Sequence, residues 1–209
     1  MRKGVRERAA DKLKPGFWFP AFQRLINLLY TRLSIGYRFK TWLTFGDEAP
    51  RGAAELYQIL VILLGALLLA LVSSPSPPPD WLGPTATIVA TYLIADLLVF
   101  SLHWTFVADR KLKSYRRSLA TFLLNLVVEL PLLFTLLFSA SRCLVSATLP
   151  WQALYSTLSA VLSLQLPTLK PEPLCTAFAH YQVLLATIVL GIIVASIVGA
   201  VIRDEKPSE

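Results

Sequence analysis

The hydrophobic pattern is dominated by long unbroken apolar runs rather than by alternation. Four runs of 20–22 residues stand out, at 53–72, 86–107, 118–139 and 181–202. An α-helix of that length covers about 30 Å, the thickness of a bilayer's hydrocarbon core. The pattern predicts an all-α membrane protein with four transmembrane helices. A further apolar run begins at Trp151 and includes Ala153, Leu154, Tyr155, Leu158, Val161, Leu162 and Leu166. It is too short to span comfortably. Residues 151–168 therefore read as a re-entrant segment before the last span; a helix lying flat on the outer surface is the alternative. Backbone without regular hydrogen bonding is tolerated at membrane depth only when buried in protein or facing water. Re-entrance would thus mark a pore or substrate path.

Ahead of the first span, Phe22, Leu25, Ile26, Leu29 and Leu33 recur at helical spacing, with Arg24, Asn27 and Arg32 between them. Phe17, Trp18 and Phe19 precede them. An apolar stripe with basic flanks and nearby aromatics predicts an N-terminal amphipathic helix in the membrane interface. An amphipathic helix packed on protein is the other reading. The chain divides into a basic N-terminal region, 1–52, and a transmembrane domain, 53–209.

Composition changes the picture in one respect. The 209 residues are 55% hydrophobic and 16% charged, against about 25% charged in soluble domains, which excludes disorder and most soluble enzymes. The net charge of +7 would suggest nucleic acid in a soluble chain. Here the basic residues number 11 in the N-terminal region, none in the first loop, five in the second, two in the third and two in the tail. The positive-inside rule then puts both termini and the second loop in the cytoplasm, and argues against a fifth crossing. The excess charge records orientation next to a lipid bilayer, and no nucleic-acid partner is expected. No apolar region closely follows the basic N-terminus, so no cleaved signal peptide is expected.

Ionisable residues inside spans are costly and usually face the bundle interior. Asp96 and His103 lie on the second span, and Asn125 and Glu129 on the third. Counted from the cytoplasmic end, Asp96 and Glu129 share one depth, and His103 and Asn125 another. Two close carboxyls would not both ionise. They fit either a proton path or neutral, hydrogen-bonded groups that fix packing. Pro131 is expected to kink the third helix. Cys143 and Cys175 flank the short apolar run in the third loop; they can pair if that side is oxidising, or remain free thiols. No metal-ligand cluster is visible, since His103 and His180 fall on opposite sides. There is no nucleophile elbow, phosphate-binding glycine loop or HExxH, so no enzyme and no cofactor are expected.

Ala153-Leu154-Tyr155 resembles the start of the pore helix in tetrameric potassium-channel pore domains. Pro171 follows Tyr155 at the spacing that family shows. Gln182, Gly191 and Arg203 match its last-helix approach, mid-helix glycine and inner basic end. Ser114-Tyr115-Arg116-Arg117-Ser118, with Asn125 and Glu129, is similar to a group of small bacterial channels of that superfamily. The resemblance spans about residues 86–203. It implies a homotetramer in the bacterial inner membrane that passes inorganic cations, with Gly191 as a hinge and Thr187 and Ser196 as lining positions. It also supplies a packing role for Glu129. The residues aligned with the filter are Ser163, Leu164, Gln165, Leu166, Pro167 and Thr168. Gln165 and Pro167 stand where the family has glycines, so a potassium-type ring of backbone carbonyls is not expected. The functions in view are a cation pore with a different filter, a non-conducting accessory or scaffold subunit, and, ranked lowest, a proton-linked transporter.

Overall fold

The computed structural model describes residues 18–43, 53–74, 78–106, 115–145 and 149–204. They form helices α1 (Trp18–Leu33), α2 (Ile35–Leu43), α3 (Ala53–Val72), α4 (Leu82–Phe106), α5 (Tyr115–Leu124), a π-helical turn (Asn125–Glu129), α6 (Leu130–Ala140), α7 (Pro150–Ser163) and α8 (Pro173–Asp204). Among the described residues, four stretches are long and apolar enough to cross a membrane: Glu55–Val72, Leu82–His103, Ala120–Ala140 and Pro173–Ala195. The described residues are all-helical, and the chain is a multi-pass integral membrane protein.

The third span is the axis of the bundle. Its most apolar 18-residue window is 72% buried, against 22% for that of the first span. Leu130, Leu133, Phe134, Leu136, Leu137 and Phe138 are fully enclosed and pack with α3, α4, α7 and α8. The first span keeps Leu56, Ile59, Leu63 and Leu67 exposed, as a lipid-facing helix should. It approaches the third span at Gly65, where an added Cβ would lie 3.2 Å from Leu132 Cδ2. Small residues let helix backbones close up in this way.

Several predicted boundaries need correction. The first span matches, but the second begins at Leu82 rather than 86, because Pro84 sits in its first turn, where proline's missing N–H costs nothing. The last helix begins at Pro173 rather than 181, again with proline at its first position. The third loop is correspondingly shorter. The third span begins at Ala120 within α5 and is interrupted: the Leu130 N–H bonds to the Asn125 carbonyl, one residue further back than in an α-helix. Pro131 follows directly. Its ring would clash with the carbonyl four residues earlier, and a π-turn is a common accommodation. Within 151–168, helix covers only Pro150–Ser163, and Gln165–Thr168 is irregular.

The N-terminal apolar stripe forms α1, which packs against α4 through buried Ile26 and Tyr30. Phe22, Leu25 and Leu28 remain exposed. The helix ends at Ser34, a buried residue whose Oγ accepts the Tyr37 N–H at 3.2 Å and so caps α2. A second helix was not expected there. The basic residues at positions 2–14 lie outside the described residues, as does Ser114.

Candidate functional site

Two groups of side chains carry chemistry, one at the π-turn within the third span and one beyond that span's Ala140 end. The first joins three spans. On α4, Asp96 is 5% exposed, and its Oδ2 accepts a hydrogen bond from the Tyr57 hydroxyl on α3. On the π-turn, Glu129 is 4% exposed. With the Asn125 amide turned so that its nitrogen faces Glu129, that nitrogen donates to Glu129 Oε2 at 2.9 Å and to the Thr121 carbonyl at 3.1 Å. The Gln58 amide, also buried, meets Asn125 from α3. Neighbouring residues of α3, Tyr57 and Gln58, thus meet Asp96 and Asn125 respectively.

His103, expected at the depth of Asn125, faces α1. His103 stacks on Tyr30 of α1, ring centroids 3.8 Å apart and planes at 14°. Tyr37 meets Tyr30 edge-on at 5.2 Å. Burial, with the nearby charge of Asp96 and then Tyr37, raises the Tyr30 phenol to about 12. The helix pair α1–α2 covers this polar group. The Tyr92 hydroxyl donates to the Leu33 carbonyl, the Phe39 ring lies 6.0 Å from that of Tyr57, and a Cβ on Gly36 would come 3.1 Å from Tyr57 Cε1. Glycine is what lets α2 rest on the Tyr57 ring.

Sequence reasoning missed Tyr57 and Gln58. They stand in the first turns of α3, where polar residues ordinarily mark the edge of a span. Their role appears only when the π-turn presents Asn125 and Glu129 to α3.

The second group surrounds α7. Cys143 and Cys175 are both fully buried and form a disulfide, Cα atoms 5.4 Å apart. It ties the end of α6 to the first turn of α8. A Leu144–Leu169 bridge and a 2.8 Å bond from the Lys170 N–H to the Cys143 carbonyl tie the return segment to the same strut. Pro150 starts α7, and the Gln152 side chain accepts the Leu149 N–H at 3.3 Å. The helix ends at Leu164, whose φ of 54° is left-handed, a conformation that costs a non-glycine residue about 1–2 kcal/mol.

Helix α7 packs against α6, the π-turn and α8. Ala153, Thr157, Ala160 and Val161 form its buried side, and fully buried Gln182 donates from Nε2 to the Thr157 carbonyl at 3.1 Å. Leu154 is half-buried, and Tyr155 is 71% exposed. Of the filter-aligned residues, Ser163 donates to the Ser159 carbonyl at 2.7 Å, and the Gln165 N–H bonds to the Ala160 carbonyl at 3.1 Å. Leu166 and Thr168 are exposed and Pro167 is half-buried. On α8, Thr187 and Gly191 are exposed, and a Cβ on Gly191 would meet nothing within 4 Å. The side chains of Ser196 and Arg203 lie outside the described residues. No group of three or more potential metal ligands occurs among the described residues. No family model matches the chain, and neither a curated relative nor a solved structure does.

Proposed function

We propose that this membrane protein is channel-like: four copies surround a central axis and pass cations beside α7 and the segment Ser163–Thr168. The observation that carries this reading is α7 itself. A helix too short to span packs between the third and last spans and reaches the π-turn. Its chain reverses at a left-handed residue and returns through an irregular stretch to the disulfide. This is the form a re-entrant segment takes, and such backbone needs protein or water around it.

One side of α7 and its continuation, with Trp151, Tyr155, Leu162 and Leu166, has no cover within one chain. The adjoining face of α8, with Leu184, Thr187 and Gly191, is also open. Four-fold assembly would bring these faces together and leave Gln165 and Thr168 near the axis. In this reading both termini face the cytoplasm, following the basic residues. Helix α1 lies at the same interface, its exposed Phe22, Leu25 and Leu28 in lipid. The setting is a bacterial inner membrane, as the resemblance to small potassium-channel pore domains implies.

A second reading, a non-conducting scaffold or accessory subunit with the same assembly, is favoured by Gln165 and Pro167 at the filter's glycine positions. Reconstitution into vesicles separates the two. Flux of K⁺ or Na⁺ that changes with substitution at Gln165 supports the pore. An assembled protein that passes no K⁺, Na⁺ or larger cation supports the scaffold. Replacing Ser163–Thr168 with a potassium-type filter should then restore selective flux if the architecture is shared.

A further inference from the structure

The helix pair α1–α2 meets the bundle within the length of the second span, not beyond its end. Tyr30 stacks on His103, the last residue of that span. The next turn of α1 reaches further in. The Tyr92 hydroxyl donates to the Leu33 carbonyl. Tyr92 stands 11 residues before His103, about 16 Å along the helix, which is more than a tyrosine side chain spans. Helix α2 then returns, with Gly36 and Phe39 against Tyr57 near the start of the first span. The turn at Ser34 is thus set at the depth of the spans, on the side where α3 starts and α4 ends.

The outward side of this pair is apolar and basic at once. Phe22, Leu25, Leu28, Leu33 and Ile35 are exposed, and so are Arg24, Arg32 and Arg38. Residues 18–43 hold four basic residues and no aspartate or glutamate. At about 3.6 residues per turn, Arg32 falls between Leu25 and Leu28 around the helix. It therefore sits inside the exposed apolar stripe and not on the opposite face, where a water-facing arginine belongs. An arginine among lipid-facing leucines lays its stem along them and extends its guanidinium to the headgroup layer. Arg38 flanks the same place. Its Nη2 donates to the Arg32 carbonyl at 2.9 Å, which fixes that guanidinium beside the end of α1 and leaves its other N–H groups for a ligand. The group complementary to two such guanidinium groups is phosphate, which arginine binds bidentately. A phosphate that carries acyl chains also matches the Phe22 and leucine side chains around it.

We propose that the outward face of α1 and α2 binds the headgroup of an acidic phospholipid, with Arg32 and Arg38 holding the phosphate and Phe22, Leu25 and Leu28 packing on its acyl chains. The proposal rests on the placement of α1 in the membrane interface and not on the pore, so a chain that passes no ions leaves it standing.

The test uses the full chain in nanodiscs of neutral phosphatidylcholine with increasing phosphatidylglycerol, and native mass spectrometry counts the lipids retained. Saturable retention of phosphatidylglycerol over phosphatidylcholine is expected. Arg32→Gln with Arg38→Gln should weaken it about thirtyfold, at about fivefold per charge near the membrane surface. Both side chains are exposed, so their replacement leaves the core in place. A charge-matched control, Arg6→Gln with Arg8→Gln, should weaken retention less than that pair does. Equal losses would mean diffuse attraction to the basic N-terminal region and overturn the site, as would no preference for phosphatidylglycerol. A nitroxide on Leu28→Cys tests the placement separately. Relaxation by oxygen dissolved in the lipid is expected in every mixture. Relaxation by a water-soluble nickel complex instead overturns the interfacial position of α1 and the proposal with it. A lipid-facing label without a headgroup preference overturns the proposal alone.

Discussion

The disulfide end of the third span and the π-turn in its middle are held by different kinds of force. At the disulfide end, a covalent bond, a short bridge and fully buried Leu133, Phe134, Leu137 and Phe138 fix α6, α7 and α8 together. At the π-turn, α3 meets Asp96 of α4 through Tyr57 and Asn125 through Gln58, with aromatic rings of α1 and α2 as a cover. Apolar packing and a cross-link resist change in charge. Hydrogen bonds to buried carboxyls depend on it. One region is held by a cross-link and close apolar packing, the other by contacts between buried polar groups.

That contrast can be broken by substitution. The largest effect is expected in the apolar end: Phe138→Ala, opening a cavity at a fully buried ring, should destabilise by about 3–5 kcal/mol. Replacing Cys143 and Cys175 together by serine should cost about 3–4 kcal/mol in the chain-entropy model. Denaturant unfolding in detergent reads both, and reductant should reproduce the second only after unfolding exposes the sulfurs. In the polar region, Tyr57→Phe leaves Asp96 buried without its donor and should cost about 1–3 kcal/mol. A loss as large as that of Phe138→Ala would erase the distinction between the two regions.

Alkaline titration probes the cover. The Tyr30 phenol is raised to about 12, above the roughly 10 of an exposed tyrosine. The unfolded or undocked form therefore loses its proton first. Docking of α1 should be intact below pH of about 10 and weaken as the pH rises toward that of Tyr30. Tyrosinate absorbance, compared with Tyr30→Phe, should lose one late-titrating group. The smallest effect is expected at Arg142, exposed and left-handed at φ 57° after α6. Arg142→Gly should stabilise by about 1 kcal/mol or less, since glycine adopts that backbone freely.

The two regions also differed in how far they could be read from sequence. Apolar runs long enough to span are a one-dimensional signal, and 53–72 matched to the residue. The starts of α4 and α8 were read late because Gly83, Pro84, Pro173 and Thr176 resemble loop composition, although proline is at home in a helix's first turn. Asp96 and Glu129 announced themselves as acids within spans. Their partners did not: Tyr57 and Gln58 look like the polar margin of a span until three helices are assembled. The stacking of His103 on Tyr30 depends on the turn at Ser34, which local periodicity did not reveal. Around α7, the two cysteines were visible as candidates for pairing, but the left-handed close at Leu164 has no glycine to signal it.

The most direct test of the channel-like reading is the subunit count of the intact protein in a mild detergent or nanodisc, measured by native mass. Four chains per particle are expected, with the exposed faces of α7 and α8 in contact. A stable monomer or dimer across lipid conditions would contradict a central pore at these residues.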